Sequence, residues 1–384
     1  MTSARRMLTA ATATLTAVAL SLSFATSASA ISLGAPSGVD VSGNNHRAIG
    51  DINWNHVKSD GQSYAFVKAT EGEGWVNTHF VADANAAAAA GLKVGAYHYA
   101  RPATDPARQA ADFAAQRALV PGQTLPPVLD LEVAEGKSPQ QLIEWTRTFT
   151  SELKRLTGRT PMIYTYRYFW TDNMANTTEF SEMPLWLAAY QNTAPAPMGG
   201  WDKIAFWQRS DSGRVNGIAG NVDMNLFNGT AAQLDSFSAG NYFDFGGILE
   251  NLVIPGVDLS GDAGALIAAI LVLAAGAAAA PAVAQAAEDA GVGTGGNALV
   301  TKAAELLNSG AITTDQLQGM MDSHSSIGDL TIMLDNAEHL QDGTVDAGQV
   351  EQVTKAARVA GVEVPDVDSA GLADAINRFL GQLR

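Results

Sequence analysis

Asp130 and Glu132 stand two residues apart in Leu125-Pro-Pro-Val-Leu-Asp-Leu-Glu-Val133, behind a double proline and a short apolar run. Val128, Leu129 and Leu131 have the character of a buried strand, and on a strand residues i and i+2 point to the same side. A buried strand gains nothing by placing two acids on one face near its end. Repulsion and desolvation would raise at least one of their pKa values, as a general acid needs at neutral pH. The bland alternative is a pair of solvated acids that open a loop, and the D-x-E spacing alone does not separate the two.

The elements that must carry this pair follow from periodicity and punctuation. Strands are predicted over 37–42, 64–70, 92–99, 127–132, 161–166, 185–190, 205–209 and 222–227. Helices are predicted over 52–57, 78–90, 105–119 and 138–156, with Gly91 as a stop and Asp105-Pro106 and Ser138-Pro139 as starts. Residues 169–174 read as loop or short helix. The order is β-α repeated about five times and then bare strands. That pattern predicts an α/β fold: an irregular TIM-like (β/α)-barrel, read as parallel, whose last third loses its helices.

Barrels of this kind gather chemistry at the C-terminal ends of their strands. Polar residues recur there: Asp40, Lys68, Thr70, Glu71, Tyr97, His98, Tyr99, Asp130, Glu132, Tyr164, Tyr166, Trp207, Gln208 and Asp223. Closure sets the first strand beside the last, so Asp40 and Asp223 are expected at the same mouth as the 130/132 pair. Carboxylates flanked by aromatic faces suit a sugar: rings stack on C–H faces and acids act on the glycosidic bond. Tyr97, Tyr99, Tyr164, Trp207 and Gln208 are the candidate substrate contacts, or else barrel core with wet polar tips. Lys68 and Glu71 are further candidates, or simply pair across the rim. His98 reads as a satisfied structural histidine. The chain has no cysteine and no second histidine at ligand spacing, so neither a metal nor another cofactor is expected.

Six collinear stretches make the pattern specific: Gly38-Val-Asp-Val-Ser42, Phe66-Val-Lys-Ala-Thr-Glu-Gly72, Val94-Gly-Ala-Tyr-His-Tyr99, Pro127-Val-Leu-Asp-Leu-Glu132, Leu185-Trp-Leu-Ala-Ala-Tyr190 and Val222-Asp-Met-Asn225. From about Gly38 to Gly229 the chain resembles glycoside hydrolase family 25, the N-acetylmuramidases or lysozymes. The resemblance implies cleavage of the β-1,4 bond between N-acetylmuramic acid and N-acetylglucosamine, with peptidoglycan strands as the partner. It implies Glu132 as proton donor, Asp130 as the partner carboxylate, Asp40 and Asp223 as the flanking acids, and net retention. Retention could use a carboxylate nucleophile or the substrate's own 2-acetamido oxygen, and the D-x-E arrangement favours the acetamido route. Two other readings stay open: an inactive glycan-binding barrel, and a glycosidase of another N-acetylglucosamine polymer such as chitin.

Composition divides the 384 residues. Arg5-Arg6, an apolar run and Ala28-Ser29-Ala30 read as an export signal over 1–30. The expected product is secreted and cell-wall associated, and monomeric. Residues 31–240 carry 16 Lys+Arg against 20 Asp+Glu, a balance of −4, and all seven tryptophans. Residues 241–384 carry 5 against 19, a balance of −14, which marks a separate acidic region. Acidity excludes nucleic acid as a partner, because phosphates require basic surface. The expected division is a catalytic barrel over 31–235, a linker over 236–262, an Ala-rich apolar segment over 263–290, and an acidic all-α region over 291–384. The apolar segment approaches a membrane span in length, yet acidic flanks and weakly inserting alanines favour a helical hairpin or a surface-associated helix. Envelope or membrane association through 263–384 stays open. Helices are expected over 298–307, 314–321, 326–340, 347–360 and 369–383.

Overall fold

The computed structural model describes residues 35–46, 52–250, 252–254, 259–274 and 296–341. The export signal, most of the Ala-rich segment, and the helices expected over 347–360 and 369–383 lie outside the described residues.

Nine strands form one sheet: β1 (Ser37–Val41), β2 (Tyr64–Glu71), β3 (Trp75–Val76), β4 (Lys93–Tyr99), β5 (Val128–Asp130), β6 (Met162–Tyr166), β7 (Leu185–Ala188), β8 (Phe206–Gly213) and β9 (Val222–Phe227). Their order is β1-β9-β8-β7-β6-β5-β4-β2-β3, and β1 also pairs with β2, which closes all but the short β3 into an eight-stranded barrel. Helices α1 (Trp54–Ser59), α2 (Phe80–Ala89), α3 (Pro106–Ala118) and α4 (Pro139–Thr157) follow the first four barrel strands. After β6 there is only a π-helical turn, Phe169–Asn173, and β7 to β9 follow without crossover helices. Helix α5 (Ala231–Ser238) closes the run.

One expectation needs correction. The barrel is not wholly parallel, since β9 runs antiparallel to both β8 and β1. The reason is the connection: only residues 214–221 separate β8 from β9. That is a hairpin length, whereas a parallel return needs a crossover of a dozen or more residues. The reversal matters for the site. Asp223 is the second residue of β9, so only an antiparallel run brings it to the C-terminal mouth, directly opposite Asp40.

Local chemistry explains the helices. Ser138 and Gln141 form a reciprocal capping box on α4, Pro139 occupies its first turn, and Gly158 ends it at φ 67°. Asp105 accepts from the Arg108 N–H and starts α3 in the same manner. Inside the barrel, Phe66 stacks on Trp186 at 4.5 Å and meets Phe206 edge-on at 5.3 Å. Glycines make room for these rings: a Cβ at Gly38 would lie 2.3 Å from the Tyr64 ring, and one at Gly95 2.4 Å from Phe66.

The C-terminal region is helical, as expected, with α6 (Gly264–Ala274), α7 (Gly296–Ser309), α8 (Thr314–Asp322) and α9 (Ile327–Gln341). Leu266, Ile267, Ile270, Ala303, Leu317 and Leu330 are buried where these helices pack together. Among the described residues no helix is long and apolar enough to cross a membrane. The bundle is stitched to the barrel by backbone. Leu259 N–H donates to Tyr190 C=O, Gly328 N–H to Leu259 C=O, and Ile327 N–H to Gly261 C=O.

Candidate active site

At the C-terminal mouth of the barrel lies a cavity of about 260 Å³ lined by Asp40, Asp130, Glu132 and Asp223 together. Asp40 is the penultimate residue of β1, Asp130 ends β5, Glu132 lies two residues on, and Asp223 is the second residue of β9. Because β5 pairs with β4 and β6, its terminal carboxylate faces inward between Tyr99 and Tyr164.

Each acid has a distinct environment. Asp40 accepts from Asn225 Nδ2 at 2.7 Å and Gln208 Nε2 at 3.1 Å. Burial raises its pKa, and those two donors pull it back. The Gln208 amide is used at both ends, since its oxygen accepts from the Tyr164 hydroxyl at 2.7 Å and the Tyr190 hydroxyl at 3.3 Å. Trp186 orients Asn225 in turn through an N–H···Oδ1 bond of 2.8 Å. Asp223 is pushed well up by burial and then by the Asp40 charge.

Asp130 is pushed well up by burial and then by the Glu132 charge. Its Oδ1 is buried and lacks a donor among the described residues. Burial raises Glu132 to about 7, against bonds to Asn336 and Asp130 that act the other way. An acid of this pKa is half-protonated near neutrality, the condition under which a general acid works best.

One side of the rim carries an ion pair. Lys68 Nζ lies 2.6 Å from Glu71 Oε2, 5.1 Å from the Trp75 ring centroid and 4.7 Å from that of Tyr99. Burial would push the Glu71 carboxyl up, yet Lys68 and His339 hold it well below the usual carboxylate range. His98 is fully buried between Thr70 Oγ1 and Gln109 Oε1, each at 2.8 Å, and burial pushes it down to about 4.

The structure thus brings Tyr97, Tyr99, Tyr164, Lys68 and Gln208 to the cavity wall beside the four acids. It does not bring Trp207 there. That indole is 0% exposed and donates to the Ala189 carbonyl, because alternate β8 residues face opposite sides and Trp207 takes the side away from the cavity. Glu71 is not a wall residue either; its carboxylate is held by Lys68, Arg101 and His339. Trp186 and Tyr190 line the cavity although sequence reasoning did not select them. Their strand position was a usable signal. The four C-terminal residues that also line it, Ile332, Asp335, Asn336 and His339, carried none.

An eight-stranded α/β barrel with two pairs of buried carboxyl groups at its mouth is an architecture that suits glycoside hydrolysis. Residues 39–218 match Glycosyl hydrolases family 25. The chain is 37% identical over 207 residues to Lysozyme M1 of Streptomyces globisporus, spanning 51% of this chain and 69% of that protein. It is 32% identical over 216 residues to an N,O-diacetylmuramidase of Arthroderma benhamiae, spanning 54% and 88%. A bacterial lysozyme structure from Streptomyces coelicolor is 35% identical and covers 54% of this chain and 98% of its own, with a TM-score of 0.49. The chain belongs to glycosyl hydrolase family 25 and is a glycoside hydrolase.

Proposed function

We propose that the protein is an exported lysozyme that hydrolyses the β-1,4 bond between N-acetylmuramic acid and N-acetylglucosamine in peptidoglycan, with retention of configuration. The observation that carries this reading is Glu132, a buried carboxyl with a pKa near 7 in a four-acid mouth, beside an Asp130 oxygen that has no donor among the described residues. Glu132 gives its proton to the glycosidic oxygen as the C1–O bond breaks. Asp130 accepts from the acetamido N–H of the sugar at the breaking bond, and so increases the negative charge on that group's oxygen. The acetamido oxygen attacks C1 from the opposite face. Water, deprotonated by Glu132, then opens the resulting ring at C1, and two inversions give retention. Asp40, whose ionised form the Asn225 and Gln208 donors favour, places further negative charge along the mouth beside the oxocarbenium-like transition state, and Asp223 flanks it.

In this reading residues 1–30 are the leader, 31–235 the catalytic barrel, 236–262 a linker, and 263–290 and 291–384 helical accessory regions of a monomer. Support for cell-wall action comes from the muramidase relatives.

The test is digestion of purified peptidoglycan by wild type beside Glu132→Gln, with mass spectrometry of the new reducing ends. Wild type should release muropeptides that end in reducing N-acetylmuramic acid. The variant should lose activity by about 10²–10⁴-fold, the contribution of a positioned general acid. Reducing N-acetylglucosamine ends, or turnover of chitin oligomers alone, would refute the assignment, as would binding without any release.

A further inference from the structure

Helix α9 lies in the mouth of the barrel, where a glycan would have to lie. Asn336 Nδ2 donates to Glu132 Oε2 at 3.2 Å, and Asn336 Oδ1 accepts from the Tyr99 hydroxyl at 3.4 Å. One turn on, His339 Nε2 is 3.0 Å from Glu71 Oε2, and its ring meets Tyr99 edge-on at 5.3 Å. Ile332 and Asp335 complete the same wall. We propose that α9 is an intramolecular occupant of the glycan cleft, a pseudo-substrate helix that must leave before polymer can bind; this rests on the lysozyme reading above.

Four observations support it. A general acid must come within about 2.6–3.2 Å of the oxygen it protonates, and an Asn336 nitrogen already lies at that distance from Glu132. Asn336 presents a carboxamide, the same functional group as the substrate's acetamido arm, to the same acid. Its N–H also favours the ionised form of Glu132, which is the wrong form for donating a proton. The remaining cavity of about 260 Å³ falls below the roughly 300–1,000 Å³ of ordinary ligand pockets, although the substrate is a polymer.

The attachment suits release. Its cleft-side contacts are side-chain hydrogen bonds and one edge-on ring contact, and Asp335 adds a carboxylate to an acid-lined mouth, where Lys302 Nζ holds it at 2.5 Å. The helix is positioned from its N-terminal end, where Gly328 lies against the Tyr190 backbone. A Cβ at Gly328 would lie 3.3 Å from both the nitrogen and the oxygen of Tyr190. A large side chain there would wedge α9 outward without replacing any acid.

Initial rates on polymeric peptidoglycan should be compared for the full chain, Gly328→Trp, and Asn336→Ala/His339→Ala. If α9 occupies the cleft, both variants should exceed wild type by about tenfold or more, since apparent affinity scales with the fraction of open molecules. Rates equal to or below wild type in both would overturn the proposal and make α9 part of the working site. Hydrogen exchange on full-length Glu132→Gln gives a second readout that does not depend on the wedge variant folding. With a soluble peptidoglycan glycan of six or more sugars, amides of 327–341 should exchange faster than without it, and unchanged or slower exchange would overturn the proposal. If no variant releases reducing ends and none binds the glycan, the lysozyme reading itself falls, and the pseudo-substrate helix with it.

Discussion

Glu132 carries opposite demands. Burial raises its pKa to about 7, which arms it as an acid and also costs stability at any pH where it must ionise. The folded value lies above the ordinary 4.5. Its stabilising contribution is therefore fully present below pH 4.5 and is lost as pH rises through 7. In catalysis the same value should set the basic limb of kcat/KM near pH 7, read from rates between pH 5 and 9; a limb above pH 9 would assign proton donation elsewhere. In stability, Glu132→Gln should melt higher than wild type above pH 7 and equal to it below pH 4.5. A gain on the order of 1–3 kcal/mol, at roughly 2–4 °C per kcal/mol, is the expected size. His98 acts in the other direction. Its pKa of about 4 lies below the ordinary 6.5, so its contribution is present above pH 6.5 and is lost as pH falls through 4. Differential scanning calorimetry across pH separates the two, because His98→Gln removes the acid-side pH dependence, on top of a pH-independent loss from the missing buried ring.

Among the elements, the barrel's interior depends on two glycines that face aromatic rings. Gly95→Ala would put a methyl 2.4 Å from Phe66, which is fully buried between Trp186 and Phe206. Overpacking of this kind costs about 1–3 kcal/mol, and a thermal melt should show the loss. A melt unchanged within error would mean that the ring has free space to retreat into. The β-α order of the first two thirds was legible because each strand is an apolar run and each helix has a capping signal, such as Ser138 with Gln141 on α4. The direction of β9 was less so. It is determined by the length of the 214–221 connection, which periodicity does not register, and it is what puts Asp223 opposite Asp40.

At the scale of the whole molecule, all seven tryptophans lie before residue 240, so their fluorescence reports the barrel and not the helical region. The backbone relay from Gly328 through Leu259 to Tyr190, together with α9 in the mouth, joins the two parts. Tryptophan fluorescence and far-ultraviolet dichroism should accordingly trace one coincident thermal transition in wild type. In Asn336→Ala/His339→Ala, which adds no tryptophan, the dichroism should acquire a separate, earlier transition while the tryptophans still report a folded barrel. One coincident transition in both proteins would show that α9 contributes nothing to the coupling.

The amino-acid sequence by itself determined the barrel's element order, the four acids and their ring of tyrosines, because apolar period, helix caps and strand-end polarity are local properties. Trp207 shows the limit of that logic: strand-end position suggested a sugar contact, whereas the side of the strand it occupies is settled by the sheet, and its ring lies buried against Ala189. Tertiary structure alone decided that Gln208 and Asn225 hold Asp40. It alone also decided that Asn336, separated by 204 positions from Glu132, comes to rest on that acid. No local pattern marks such a pairing, because it depends on how a helical bundle docks on a barrel rim. The four acids at the mouth are written along the chain, and what covers them is a property of the folded molecule.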